Sequence, residues 1–172
     1  MPLIPLIKKN LINLNNIIID SKSGYSGAGR SVHKKHSKQK LNESLSAYGV
    51  GFHRHNSEIE QEIETVTNKK FSFNFTPHLV PMFRGILSTI YIEVNNKVSL
   101  KSLMNELNKF YNGKKFVHIK KPNTFISTND VINTNNCYIS ICKTKYKNRF
   151  IILSTIDNLI KGGAGQAIQN MN

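Results

Sequence analysis

Apolar residues fall at two different periods along this chain, and the switches between them outline its elements. In "PLIPLIKKNLI", Leu3, Ile7 and Leu11 recur four apart, the spacing of one face of a buried helix that opens with no capping residue. Ile17 to Ile19 then form an unbroken apolar run read as a buried strand, and the glycines at 24, 27 and 29 make the following stretch a loop. "SVHKKHSKQK", from Ser31 to Lys40, is polar, basic and aperiodic, and is expected to be mobile. Ser57 and Glu60 have the S-x-x-E spacing of a capping box, which predicts a helix with Ile59, Ile63 and Val66 on its buried face. The period drops to two in "KKFSFNFTPH", where Phe71, Phe73 and Phe75 share a side, and again in "RGILSTIYIEV", where Ile86, Ser88, Ile90 and Ile92 do. Ser99 is placed to cap a second helix with Leu100, Leu103, Met104, Leu107, Phe110 and Tyr111 at helical spacing, closed by Gly113. "KFVHI" reads as a short strand, and "CYISICKTKY" and "RFIILSTI" as a hairpin bending at Lys147 and Asn148. The tail "DNLIKGGAGQAIQNMN" is compatible with a helix after its glycines. This irregular order predicts an α+β domain: a mixed, mostly antiparallel sheet with helices packed on one face.

Composition narrows the class. At 172 residues the chain fits one domain, and its 39% hydrophobic content, with no apolar run long enough to span a bilayer, excludes a membrane helix. "MPLIPLIKKNLI" carries its charges after the apolar stretch and lacks a small-residue cleavage pattern, so a cytoplasmic protein is expected. Cys137 and Cys142 stand five apart in a predicted strand and so face opposite sides, which excludes a disulfide between them; both read as small buried hydrophobes.

The charge balance, 24 Lys and Arg against 10 Asp and Glu, draws phosphates, whether of a nucleic acid, a dinucleotide or an acyl phosphate. Arg30, Arg54, Arg84 and Arg149 are the only arginines, and the rest is lysine dispersed in a chain rich in Asn and Ile. A reader of nucleic acid would use more arginine forks and interleaved aromatics, so the pattern goes against that partner.

The concentrated chemistry is in "YGVGFHRHNSEIEQEI", which sets His53, Arg54 and His55 just ahead of a helix. By spacing alone the two imidazoles are equally well ordinary polar packing. A His-x-His metal site would need a carboxylate or cysteine cluster to complete it, and none accompanies the motif. "SGYSGAG" frees backbone N–H groups to approach a phosphate or cofactor, but as spacing it is only a loop.

Four motifs in fixed order, "SGYSGAG", "HRHNSEIEQ", "FTPHLVPMFRGILSTIY" and "NLIKGGAGQAIQNMN", make the chain resemble the C-terminal part of the N-acetyl-gamma-glutamyl-phosphate reductase family, relatives of aspartate-semialdehyde dehydrogenase. The resemblance implies the C-terminal fold of the glyceraldehyde-3-phosphate and aspartate-semialdehyde dehydrogenase type. It also implies an NADPH-dependent reduction of an acyl phosphate to an aldehyde in arginine biosynthesis, through a cysteine thioester and a proton-handling histidine. It matches His55 to that histidine, with His53 the competing assignment, and gives His53 or Arg54 the substrate's oxyanion. Ser26, Gly27, Asn158, Gly162 and Gly163 match positions beside the cofactor, whereas His78 and Arg84 fit a structural role at least as well. His33 and His36 match no role.

Missing from the family pattern are the dinucleotide-binding half, with its glycine fingerprint, and the nucleophile of a Gly-Cys-Tyr-Pro type motif, which neither cysteine matches. The expectation is therefore a substrate and oligomerisation domain over 1–156 and a terminal helix over 157–172 that returns to the absent half. NADP would be shared with that half. Such a chain is inactive alone, and is either a homo-oligomer, the complement of a separate N-terminal half, or a non-catalytic assembly module.

Overall fold

The computed structural model describes residues 1–28 and 43–172; the basic stretch "SVHKKHSKQK" and the third glycine of the first loop lie outside the described residues. In chain order the elements are α1 (Leu3–Lys8), β1 (Ile17–Gly24), a 3-10 turn (Tyr25–Ala28), β2 (Ser46–Ala47), α2 (His55–Thr67), β3 (Phe73–Val80), β4 (Ile86–Glu93), α3 (Leu100–Tyr111), β5 (Val117–Ile119), a second 3-10 turn (Thr128–Asp130), β6 (Cys137–Lys143), β7 (Arg149–Ile156), a π-type turn (Ile160–Ala164) and α4 (Gly165–Met171). The strands form one mixed sheet in the order β2-β3-β1-β4-β7-β6-β5. Two of its pairings, β1 with β3 and β5 with β6, are parallel, and the others are antiparallel.

The period-two segments sit as the pattern requires. Phe75, Ile19, Ile90, Ile152 and Ile141 occupy one level of the inner face and join Leu6, Ile7, Ile63, Leu103 and Leu107 from α1, α2 and α3 in a single core. Ser99 caps α3 by accepting the Ser102 N–H at 3.2 Å, and Gly113 follows that helix with φ +72°. Cys137 falls on the inner face and Cys142 on the outer, both buried and unbridged.

Helix ends depart from the apolar spacing for local reasons. The run through Leu11 predicts a longer α1, but Asn10 takes a left-handed φ of +54°. The Asn10 N–H then bonds to Ile7 O and the Leu11 N–H to Leu6 O, the paired 5→2 and 6→1 closure of a Schellman motif, so Leu11 packs beyond the helix instead of within it. Pro5 is tolerated because a third helical position has no intrahelical acceptor for its N–H.

Candidate active site

An open cleft of about 870 Å³ lies over the inner face of the sheet. Its walls are Met1, Pro2 and the first residues of α1 (Leu3 and Ile4), one face of α2 (His55, Glu58, Ile59, Glu62, Ile63), and an edge formed by Gly27, Asn158 and Gly162.

The start of α2 corrects the expected capping box. The helix begins at His55, two residues before Ser57, and the Ser57 hydroxyl donates to Arg54 O instead of capping anything. His53 takes the capping role: its Nδ1 accepts the His55 N–H at 3.2 Å. An imidazole that accepts at Nδ1 carries its proton on Nε2, so His53 is held as the Nε2–H tautomer. Its ring is edge-on to Tyr48, His55 and Phe75 at 5.4, 4.7 and 5.4 Å, which seats it over the sheet. Gly49 permits this seat, since it has φ +56° and a Cβ there would stand 3.0 Å from His53 Cδ2. Burial, then the neighbouring His55 and Arg54 charges, push the His53 pKa below its ordinary value. His55 is half-exposed, with Nε2 3.9 Å from the Glu58 carboxylate. Arg54 is exposed at the cleft mouth, and its guanidinium has no hydrogen bond or ion pair among the described residues.

The opposite edge is built by consecutive buried residues, Asp157 and Asn158. Asn158 Oδ1 accepts the Gly85 N–H at 2.7 Å, and its Nδ2 donates to Ser26 Oγ at 2.9 Å, so the carboxamide clamps the 25–28 turn to the head of β4. A Cβ at Gly27 would lie 2.8 Å from that Nδ2, so a side chain there would unseat the clamp. Asp157, with no solvent exposure, accepts the N–H groups of Leu159, Ile160 and Asn133 at 2.8, 3.0 and 2.9 Å and faces Arg84 Nη1 at 3.4 Å. Burial alone would raise its carboxyl pKa, but those donors and the guanidinium together hold it below the usual range.

The sequence-predicted residues thus divide. His53, Arg54, His55, Gly27, Asn158 and Gly162 converge on the cleft, while Ser26 sits behind Asn158 and Gly163 lies outside the lining. Arg84 serves structure through Asp157 and Asn133, and His78 Nδ1 lies 2.9 Å from Asp20 on the outer face. Neither cysteine lines the cleft; burial raises the Cys137 pKa, which keeps it a thiol. No group of three His, Cys, Asp or Glu side chains among the described residues is arranged to hold a metal ion. Sequence reasoning passed over Asp157, although an Asp followed by "NLIK" is an N-terminal turn signal, and over Ser21 and Ser154, which join Ser88 in the cleft floor.

This half-open site on a one-sided mixed sheet is of a known class. The chain belongs to the semialdehyde dehydrogenase dimerisation-domain family, whose profile matches residues 1–158. Within that class it is similar to particular reductases. It is 51% identical over 171 residues to the N-acetyl-gamma-glutamyl-phosphate reductase of Geotalea daltonii, and 47% identical over 169 residues to that of Halothermothrix orenii. These matches cover 99% and 98% of this chain but 49% of each relative, so it spans about half the length of the curated relatives it matches. In fold it resembles aspartate semialdehyde dehydrogenase II of Vibrio cholerae (TM-score 0.72, 14% identity, 98% of this chain and 56% of that one). The aspartate semialdehyde dehydrogenase of Francisella tularensis is similar (TM-score 0.73, 13% identity, 99% and 60%). The α+β sheet with helices on one face, expected from the sequence, is therefore the fold of these oxidoreductases' C-terminal domain. Among the described residues no helix is long and apolar enough to cross a membrane.

Proposed function

We propose that this chain is the substrate-binding and assembly half of an N-acetyl-gamma-glutamyl-phosphate reductase, and that catalysis needs a dinucleotide-binding half and a cysteine nucleophile from outside these residues. The observation that carries the reading is the convergence of His53, Arg54 and His55 with the Gly27–Asn158–Gly162 edge on one cleft.

NADPH supplies a hydride when bound. Gly27 and Gly162 would let its ring approach the cleft edge, and the second Nδ2 hydrogen of Asn158, beyond the one given to Ser26, remains to meet an amide acceptor. The exposed Arg54 guanidinium binds an anionic substrate group by paired donors. His53 donates from Nε2 but cannot take a proton there while Nδ1 holds the His55 N–H. His55, whose ring nitrogens have among the described residues only the distant contact with Glu58, is the imidazole that gives and takes the proton. The Nδ1 acceptor role of His53 supports His55 over His53 as the acid–base imidazole.

Assembly uses two surfaces. A second copy docks on the outer sheet face, where Ile18 and Tyr91 are 44% and 41% exposed beside the half-exposed Leu87, Ile151 and Leu153. The dinucleotide-binding half packs against the cleft mouth and α4, which buries none of its own residues and leaves Ile168 and Met171 exposed. Residues 157–172 then reach across to that half. Co-expression with the N-terminal half of the Geotalea daltonii reductase tests the proposal. A stable complex that oxidises NADPH with N-acetyl-glutamyl phosphate is expected, and a folded chain that neither associates nor supports oxidation would favour a non-catalytic module.

A further inference from the structure

Three serines occupy inward positions on adjacent central strands, where the rows on either side are largely aliphatic. Ser21 lies opposite Ser88 across β1 and β4, and Ser88 lies opposite Ser154 across β4 and β7. One flanking row holds Phe75, Ile19, Ile90 and Ile152, and the other holds Leu79, Ile86 and Ile156 around Ser23. All three serines of the row line the cleft floor.

Room alone does not explain them. Alanine would leave the same space without burying a hydroxyl, which costs free energy unless its hydrogen bonds are met. Here they are only partly met. Ser21, 7% exposed, and Ser88 share a single bond at 2.7 Å, which uses one of their two hydroxyl hydrogens. Among the described residues Ser154 has only the Cys137 sulfur, at 3.6 Å, a weak partner. The floor therefore offers at least one donor and several lone pairs to whatever fills the cleft.

The surroundings define what that is. An anion would be poorly placed, because Arg54 is at the mouth while Glu58 and Glu62 stand on the α2 wall. Hydroxyls that both give and accept suit a neutral group that does the same, and the aliphatic rows beside them suit a small alkyl substituent on it. We infer that the row Ser21–Ser88–Ser154 is a subsite for a neutral acylamino arm of the ligand, whose C=O and N–H meet the hydroxyls and whose methyl meets Ile86, Ile90 and Ile156. The inference rests on the cleft being the reductase substrate site and specifies which arm of the substrate reaches its floor.

The test titrates the full 15N-labelled chain with two probes, N-acetyl-L-glutamate and glutarate, the second having both carboxylates but no acylamino arm. The variant is Ser21→Ala/Ser88→Ala, which removes both ends of the shared bond and orphans neither; its thermal midpoint is the control for folding, and Ser154→Ala serves if the double variant fails to fold. The expected result is amide shifts at strand positions 21, 88 and 154 with N-acetyl-L-glutamate. The variant should weaken that probe about fivefold, the worth of one neutral hydrogen bond, and leave glutarate unchanged. Shifts at His53 and Asn158 with no selective loss in the variant would overturn the subsite but leave the substrate cleft standing. No cleft shifts with either probe in the unmodified chain would overturn both.

Discussion

Asp157→Asn isolates the junction that holds the glycine edge of the cleft, because it removes a charge while nearly preserving shape. In the folded protein one carboxylate oxygen accepts the Leu159 and Ile160 N–H groups, and the other accepts the Asn133 N–H and faces Arg84. Whichever oxygen becomes an amide nitrogen, it then points at donors, so at least one buried N–H loses its acceptor, at about 1–3 kcal/mol. Breaking a buried charge pair by removing one partner costs about 3–5 kcal/mol when the survivor stays buried. The Arg84 side chain keeps 25% exposure, so water can solvate part of its stranded charge. The substitution is therefore placed at about 3 kcal/mol, the low end of that range, which for a chain of this size lowers Tm by about 6–12 °C. Thermal unfolding followed by circular dichroism measures it, and Arg84→Met with the double variant gives the coupling by a mutant cycle. The depressed carboxyl pKa adds a signature: its contribution is present above the unfolded carboxylate value and is lost as pH falls through the folded one. An Asp157→Asn protein melting within about 2 °C of wild type would show that the junction does not depend on this carboxylate.

Burial lowers the His53 pKa in the folded chain, so as pH drops below about 6.5 the unfolded state gains its proton first and stability falls, levelling off below the folded pKa. Urea unfolding across that window should show this slope in wild type and a shallower one in His53→Gln; identical slopes would contradict it. Gly85→Ala meets both a φ of +109° and a Cβ 2.7 Å from Thr128 Cβ, and should cost about 2 kcal/mol or more by urea midpoint at unchanged m-value, against no change if the turn can relax. Ile18→Lys/Tyr91→Lys places adjacent charges on the outer sheet face and should turn the proposed dimer into a monomer by size-exclusion light scattering; a wild-type dimer that persists in the variant would move the interface elsewhere.

Which parts were legible follows from how local their causes are. Phe73, Phe75, Ile86, Ile90 and Ile92 gave away β3 and β4 because a half-buried sheet enforces a strict period of two. Ser99 and Gly113 bracketed α3 because capping is decided within one turn. The same reasoning failed at α2, where the acceptor for the first free N–H is the His53 ring two residues away, and what seats that ring is partly Phe75 from β3, a contact that leaves no spacing to read. It failed again at β1, which continues through Asp20 and Lys22 to Gly24 because those polar residues face outward. In the site, the histidine triplet was visible as a cluster, whereas the Asn158 clamp joins Ser26 to Gly85 across long stretches of chain and only tertiary contact shows it.

On the proposed reading, the His55 ring carries the proton and the rest of the reductase machinery comes from outside these residues. The most direct measurement is the kinetics of a chimera in which this chain replaces the matched half of the Geotalea daltonii enzyme, assayed by NADPH oxidation with N-acetyl-glutamyl phosphate. Wild-type chimera should turn over, and His55→Asn should lower kcat by about 10²-fold or more with KM nearly unchanged, the pattern of a lost acid–base group. A folded chimera in which His55→Asn keeps full kcat would take the proton-carrying role away from His55.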